Sequence, residues 1–273
     1  MQADAAPDTD PIAAEPPMAE RFRFNAREFP YWLVAILGIL AWMLVLIVTN
    51  DQYREAWHAI IPGLTTTISA TVYGFGLAVV IGLLAGLGRI SKNVVARNVA
   101  ITYIEFIRGV PILVLLFTTA YVIVPQLSSA FGFSNSSVSN FPRAVFALAL
   151  IYGAYLAEVF RAGIESVPKG QTEAGRSLGL SHAQTMRKIV LPQAIRNMTP
   201  ALGNDLIAML KDSSLLSVLA IREITQEARL YASSTFQFRP TYLVLTFLYL
   251  SMTLILSLLL RWYRSRLGLE ESR

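Results

Sequence analysis

The sequence predicts an all-α protein that crosses a membrane about six times. Of its 273 residues, 54% are hydrophobic and only 15% are charged, and the mean hydropathy is +0.51. Soluble domains carry about 25% charged residues. The apolar residues are gathered into runs of about 20, the length that a helix needs to cross a bilayer. The predicted class is therefore a polytopic helical membrane protein.

The predicted spans follow the apolar runs in chain order. They are residues 31–49, 63–88, 110–125, 144–160, 200–220 and 241–260. Only the fifth is interrupted by polar side chains. Most Lys and Arg residues fall before the first span, between the second and third, between the fourth and fifth, and after the sixth. Because basic residues favour the cytoplasmic side, both termini are predicted to be cytoplasmic.

The two ends of the chain are predicted to be tails. Residues 1–30 are rich in Ala, Pro, Asp and Glu and are expected to be disordered, and residues 263–273 form a short cytoplasmic tail. We interpret 31–49 as an uncleaved membrane helix, because it follows a long tail rather than the short basic segment of a signal peptide. Residues 63–262 then form the main transmembrane domain.

Composition excludes several classes of function. The chain has no cysteine, and its two histidines, His58 and His182, are far apart, so neither a thiol nucleophile nor a histidine zinc site is expected. Basic residues are spread over several loops without the basic and aromatic alternation that binds single strands, so no nucleic acid is expected. No phosphate-binding loop occurs, so nucleotide binding is not expected on this chain.

The polar segment 164–197 lies between the fourth and fifth predicted spans. Residues 171–178 suit a short helix that Gly179 would end with a left-handed cap. Ser181 and Gln184 have the spacing of a capping box, which begins a second helix. Pro192 is predicted to bend or close that helix. The segment is therefore expected to form a rigid helix-turn-helix near the membrane.

Glu158 lies near the end of an apolar helix, where a carboxylate must be paired or hydrated. Arg161 is three residues away on the same helix face, so the two can pair. Glu158 can therefore serve as a structural anchor or line a solute pathway, and we favour the anchor. By the same spacing, Glu105 and Arg108 are predicted to pair.

The fifth predicted span carries Asn204, Lys211 and Ser214 inside the membrane. Asn204 and Lys211 are seven residues apart and share one helix face, and Ser214 lies at the edge of that face. Polar groups at this depth face other helices or water. They are therefore candidates for a solute pathway or for a structural network.

A different spacing predicts close helix packing. Gly82 and Gly86 form a GxxxG pattern, which lets two helices approach closely in lipid. We expect this contact within one subunit.

The spacing EAG-x3-G-x9-I-x-LP, from Glu173 to Pro192, resembles the signature loop of ABC importer permeases. Segments 103–111, 154–171 and 210–215 extend the likeness to the branch that serves polar amino acids. The loop has EAG where the family pattern is EAA. Five spans are usual in this family, so 31–49 would be an extra N-terminal helix.

The resemblance implies a type I importer in the inner membrane of a bacterium. The coupling residues would contact a separate cytoplasmic ATPase that binds ATP and Mg²⁺, with no cofactor on this chain. They are Glu173, Ala174, Gly175, Gly179, Leu191 and Pro192. Two permease chains would form the pathway, and an external solute-binding protein would deliver the amino acid. ATPase closure would move the helices that carry Glu158 and Lys211.

Two other classes of function compete with the importer. An ion-driven carrier or channel for small polar solutes would use Glu158, Asp205 and Asp212 as titratable groups, but it leaves the polar segment 164–197 without a purpose. A membrane enzyme would need clustered catalytic or metal-binding groups, which the sequence lacks. The importer is preferred, with the ion-driven carrier second.

Overall fold

The structure, a computed structural model, describes residues 31–132 and 139–266, and no β-strand occurs in those two ranges. The all-α prediction is confirmed. The predicted tail 1–30 and residues 267–273 lie outside the described ranges. The chain divides into two units, Met1–Ile39 and Leu40–Arg273. The second unit contains everything described below, apart from the first residues of helix α1.

The described helices follow one another with short connections. They are α1 (Tyr31–Thr49), α2 (Asp51–Ile60), α3 (Leu64–Arg89), α4 (Val94–Gly109), α5 (Ile112–Thr118), α6 (Val124–Ala130), α7 (Asn140–Glu165), α8 (Lys169–Ser177), α9 (His182–Thr185), α10 (Leu191–Asp212), α11 (Ile224–Thr235) and α12 (Phe238–Arg266). Turns of π-helix at Thr119–Ile123 and Met186–Val190 join α5 to α6 and α9 to α10. Short 3₁₀ helices cover Ile61–Gly63 and Ser213–Leu219.

Five helical segments among the described residues are long and apolar enough to cross a membrane. They are Tyr31–Thr49, Asp51–Arg89, Ile112–Ala130, Asn140–Glu165 and Phe238–Arg266. α10 is not among them, because its polar residues lower its hydropathy. The boundaries predicted for this span, 200–220, are wrong. The helix begins at Leu191 and contains Pro200, and residues after Asp212 tighten into the 3₁₀ helix.

The proline that starts α10 is Pro192, not Pro200. Pro192 follows the π turn Met186–Val190 by two residues, so its missing N–H falls at a widened turn of a continuous helical path. Pro200 is tolerated in the middle of the helix. Sequence alone does not tell which of two prolines begins a helix, since either could occupy a first turn.

α7 is the central helix of the bundle. About two thirds of its membrane segment (67%) is buried, compared with 11% for α12. α3 packs against α7 through the predicted glycine pair. A Cβ atom added to Gly82 would lie 2.7 Å from Leu156 Cβ, and one added to Gly86 would lie 2.9 Å from the Ala157 carbonyl oxygen. The predicted close contact is thus confirmed, within a single subunit.

A second buried apolar cluster lies apart from the α7 core. It joins Tyr53 and Ile60 of α2 to Ile224 of α11 and to Val244 and Leu248 of α12. α2 therefore acts as a brace across the two last helices.

The two ends of α3 define two ends of the bundle. Its last residue, Arg89, contacts Glu158 near the end of α7, and we call this the loop end, since α8 follows it. Its first turn approaches Glu223, just before α11, and we call this the far end. The two are separated by 26 helical residues, about 39 Å at 1.5 Å per residue.

Candidate functional site

The polar segment 164–197 is closed at its base by contacts between α7 and α10. Asn197 Nδ2 donates a hydrogen bond to Ser166 Oγ at 2.8 Å. A Cβ atom on Gly163 would lie 2.9 Å from Met198 Cβ, so the two helices touch there. The two ends of the segment are thus held together, and the part between them projects as a unit.

α8 ends as the sequence predicted. It covers Lys169–Ser177, two residues earlier at its start than expected. Gly179 has φ +81°, a left-handed conformation that glycine adopts without a Cβ clash. Leu180 N donates to the Gly175 carbonyl at 3.2 Å and Gly179 N to the Arg176 carbonyl at 3.0 Å, which satisfies carbonyls at the end of the helix. The glycine cap is confirmed.

The second helix begins with the predicted capping box. Ser181 N donates to Gln184 Oε1 at 2.8 Å, and Gln184 N donates to Ser181 Oγ at 3.3 Å. Pro192 was predicted to bend or close this helix, and the structure shows that it does not close it. The chain passes through the π turn Met186–Val190 directly into α10. A widened turn accommodates the hydrogen bond that a proline cannot donate.

The contact of α8 with the second helix is centred on Gly175. Gly175 is the only buried residue of α8. A Cβ atom there would lie 2.7 Å from Ile189 Cδ1 and 3.0 Å from Thr185 Cγ2. Gly175 therefore belongs to the internal contact of the helix pair, whereas the sequence motif grouped it with surface residues.

The other predicted coupling residues are exposed. Glu173, Ala174 and Gly179 lie on α8 and its cap, and Leu191 and Pro192 lie where the loop joins α10. Leu178, which the sequence reasoning treated only as the end of a helix, is 81% exposed. This is the largest exposure of any large apolar side chain in the described residues. An apolar residue directly before a helix-ending glycine was the available signal.

Glu158 lies in a cluster of charged residues at the loop end. Arg161 Nη2 contacts Glu158 Oε2 at 3.0 Å, so the predicted pair is confirmed, and Arg89 of α3 bonds the other carboxylate oxygen. Glu105 of α4 lies 3.7 Å from Arg89, not beside Arg108 as expected. Glu165 adds a second partner for Arg161. Glu158 thus ties α3 to α7, and Arg89 extends the cluster to α4.

The polar residues of α10 lie apart from that cluster. Asn204 and Lys211 are both exposed on one face of the helix, as predicted, and no hydrogen bond or ion pair joins Glu158 to them or to Ser214. Ser214 is half-buried in the 3₁₀ helix rather than in α10. Behind this face, Asp212 accepts a hydrogen bond from the Tyr152 hydroxyl of α7 at 2.8 Å. α10 therefore presents an amide and an ammonium group on an exposed surface.

Residues 31–132 and 139–266 contain no cluster of side chains suited to binding a metal ion. No three His, Cys, Asp or Glu side chains are grouped there so that they could hold an ion.

The comparison with family models decides the class. The model described as "Binding-protein-dependent transport system inner membrane component" matches residues 78–269. The chain belongs to this family. It is a permease subunit of an ABC importer and a multi-pass inner membrane protein. The match begins within α3, so α1 and α2 precede the matched residues.

Individual members of the family resemble the chain over most of its length. The glutamine transport system permease protein GlnP of Escherichia coli strain K12 is 36% identical over 219 residues, which cover 79% of this chain and 97% of GlnP. The L-cystine transport system permease protein TcyB of Bacillus subtilis strain 168 is 36% identical over 206 residues, covering 75% of this chain and 85% of TcyB.

A solved structure of the family also resembles this fold. A chain in the crystal structure of an amino acid ABC transporter with histidines is 37% identical, with a TM-score of 0.69, and the likeness covers 81% of this chain and 98% of that one. The family predicted from the loop motif is therefore confirmed.

Proposed function

We propose that this permease imports polar amino acids and that the helix pair α8–α9 couples it to a separate ATPase. The named relatives GlnP and TcyB act on glutamine and L-cystine, and the similar solved structure is an amino acid transporter. The substrate class proposed here rests on that likeness. We place both termini in the cytoplasm, with residues 63–262 as the permease domain, 31–49 as an additional N-terminal helix, and 1–30 and 263–273 as tails.

One observation carries the coupling role: α8 projects from the bundle with Gly175 as its only buried residue. Glu173 and Ala174, six and five residues before Gly179, are left exposed. A rigid, polar helix exposed in this way is suited to docking on a second protein. In this proposal the contact surface is formed by Glu173, Ala174 and the exposed Leu178. Gly175 and Gly179 give the pair its shape, and Leu191 and Pro192 join it to α10.

The continuous path from α9 into α10 supplies a mechanism. The second helix of the pair runs without interruption from His182 to Asp212. A displacement of α8 would therefore be transmitted along one rod to Asn204 and Lys211. ATP and Mg²⁺, bound on the ATPase, would drive that displacement, and segment 164–197 would be the coupling loop.

The exposed polar face of α10 supports a translocation path between two permease chains. Asn204 and Lys211 cannot be satisfied by lipid tails. A second copy or a related chain facing α10 would shield them and enclose water, while α1 and α12 remain in contact with the bilayer. Ser214 extends the polar face toward the far end, where an external solute-binding protein would deliver the amino acid. Glu158 would not line this path, because it is held by Arg89 and Arg161.

Reconstitution tests the proposal. Proteoliposomes with the permease, its ATPase and its binding protein are expected to take up labelled glutamine, cystine, histidine or arginine only with ATP present. Glu173→Lys should reduce uptake at least about tenfold and weaken co-purification of the ATPase, because it reverses a charge on the contact surface. Glu55→Lys makes the same change at an exposed position of α2, at the far end, and should leave ATPase assembly intact. Normal uptake and normal assembly in Glu173→Lys would contradict the coupling role.

A further inference from the structure

The far end contains a fully buried carboxyl group that the proposed transport mechanism does not use. Glu223 is 0% exposed and lies between the 3₁₀ helix and α11, outside the membrane-spanning segments. A buried carboxylate is costly unless it is paired or hydrogen-bonded. The groups around Glu223 therefore show how the fold accommodates its buried carboxyl group.

Three neutral groups donate hydrogen bonds to Glu223. Thr225 N donates to Oε2 at 2.9 Å and Gln226 N donates to Oε1 at 2.8 Å, so the side chain caps the start of α11. Tyr249 of α12 donates its hydroxyl to Oε2 at 3.1 Å. The carboxyl group thus joins α11 to α12.

No cation compensates the charge of Glu223 among the described residues. The neighbouring Arg222 is directed to Glu227, with Nε 2.8 Å from Oε1, and its side chain is 71% exposed. The α3 side of the junction supplies only a neutral hydroxyl, Thr67 Oγ1, which accepts from Ile224 N at 3.2 Å. The titratable and charged groups near Glu223 are therefore the Tyr249 hydroxyl and the Arg222–Glu227 pair.

The backbone around Glu223 is tightly packed against α3. A Cβ atom on Gly63 would lie 2.6 Å from both the Glu223 carbonyl carbon and Ile224 N. Just upstream, Ala220 has φ +56°, a left-handed conformation that is strained for a residue with a side chain. The turn from α10 into α11 is thus both strained and fixed by contact with α3.

We propose that Glu223 is a positioning residue that holds α11 against α3 and α12. The gain or loss of one proton on its carboxyl group changes the stability of this junction. With the proton, the group is neutral and suits a buried site. Without it, a negative charge is buried with only neutral donors and the positive end of α11 to stabilise it. The deprotonated junction therefore opens more readily than the protonated one.

The pKa of Glu223 places this change near neutral pH. Burial raises the pKa to about 7, and the hydrogen bonds from Thr225, Gln226 and Tyr249 oppose that rise. Because the pKa is higher in the folded protein than in the unfolded chain, the proton stabilises the folded state. This stabilisation by the proton is complete at pH values below the ordinary pKa of glutamate. It is lost as the pH rises through about 7.

The test measures the assembled transporter in lipid nanodiscs between pH 5.5 and 8.5. Thermal unfolding of the wild type should fall by roughly 5 °C across this range. Hydrogen exchange of the first turn of α11, corrected for the intrinsic rate, should rise about thirtyfold, because pH 5.5 lies about 1.5 units below the pKa of about 7 of Glu223. Glu223→Gln, which is neutral at every pH, should remove both changes. Tyr249→Phe removes one donor to the carboxylate, together with the contact between the Tyr249 and Thr225 hydroxyls, and should move the midpoint upward.

Two results with these variants would contradict the proposal. Parallel pH curves for the wild type and Glu223→Gln would show that another group is responsible. A midpoint that stays in place in Tyr249→Phe would show the same, and that variant keeps the test valid should Glu223→Gln fail to fold.

Discussion

The loop end and the far end of this permease are built in opposite ways. At the loop end, α8 buries only Gly175 and leaves Leu178 81% exposed. At the far end, Glu223 is 0% exposed, and Gly63 lets two backbone segments touch. The first surface is available to the ATPase, whereas the junction around Glu223 is closed by contacts within one chain. Changes at the loop end should therefore affect coupling, whereas changes at the far end should affect folding.

The largest expected effect is at Gly63. Gly63→Ala places a Cβ atom 2.6 Å from backbone atoms of Glu223 and Ile224, and backbone cannot rotate away as a side chain can. We expect a loss of at least about 3 kcal/mol of stability, the upper range for overpacking, seen as a strong fall in folded protein by fluorescence size-exclusion chromatography. Gly76→Ala in the adjoining helix α3 is the control, because no atom lies within 4 Å of its added Cβ. Equal yields of the two variants would break the comparison.

The next effect is at Leu178. Leu178→Asp replaces the most exposed large apolar side chain of the described residues with a charged one. We expect uptake and ATPase co-purification to fall about thirtyfold, because interface anchors cost about 2 kcal/mol or more when lost. Leu178→Met keeps an apolar side chain and should retain most uptake. The unfolding temperature of both variants should match the wild type. A lower unfolding temperature in Leu178→Asp would mean that the side chain stabilises the fold rather than a partner.

A smaller loss of uptake should distinguish a substitution at the buried Gly175 of α8 from one at the exposed Gly170. Gly175→Val would push against Ile189 and Thr185 and shift α8 on the second helix, so we expect uptake to fall severalfold with a normal amount of protein in the membrane. Gly170→Val is the control on the same helix, because no atom lies within 4 Å of its added Cβ. Similar uptake by both variants would mean that the angle between α8 and the second helix does not matter for coupling.

Local signals in the sequence predicted the loop end well. The cap at Gly179, the capping box at Ser181 and the Glu158–Arg161 pair all depend on residues within five positions of one another. Short-range hydrogen bonds of this kind follow from residue type and spacing. The apolar runs likewise predicted the membrane helices, except where polar residues obscured α10.

Residue type and short spacing could not predict the long-range contacts. Arg89 reaches Glu158 from 69 positions away, and Thr67 bonds Ile224 from 157 positions away. Nothing in the local sequence distinguishes Glu223, which is fully buried, from the exposed Glu173. The π turn before Pro192 was also missed, because a proline near a helix end is compatible with a stop, a bend or a new start.

In the proposed function, the loop end faces the cytoplasm and contacts the ATPase. Since the chain contains no cysteine, Leu178→Cys and Phe236→Cys each introduce a single reactive thiol, at residues that are 81% and 79% exposed. In intact cells, a membrane-impermeant maleimide should label Phe236→Cys and leave Leu178→Cys unlabelled, and a bifunctional reagent should link Leu178→Cys to the ATPase in the assembled transporter. Labelling of Leu178→Cys from outside, or no link to the ATPase in that assembly, would contradict the account.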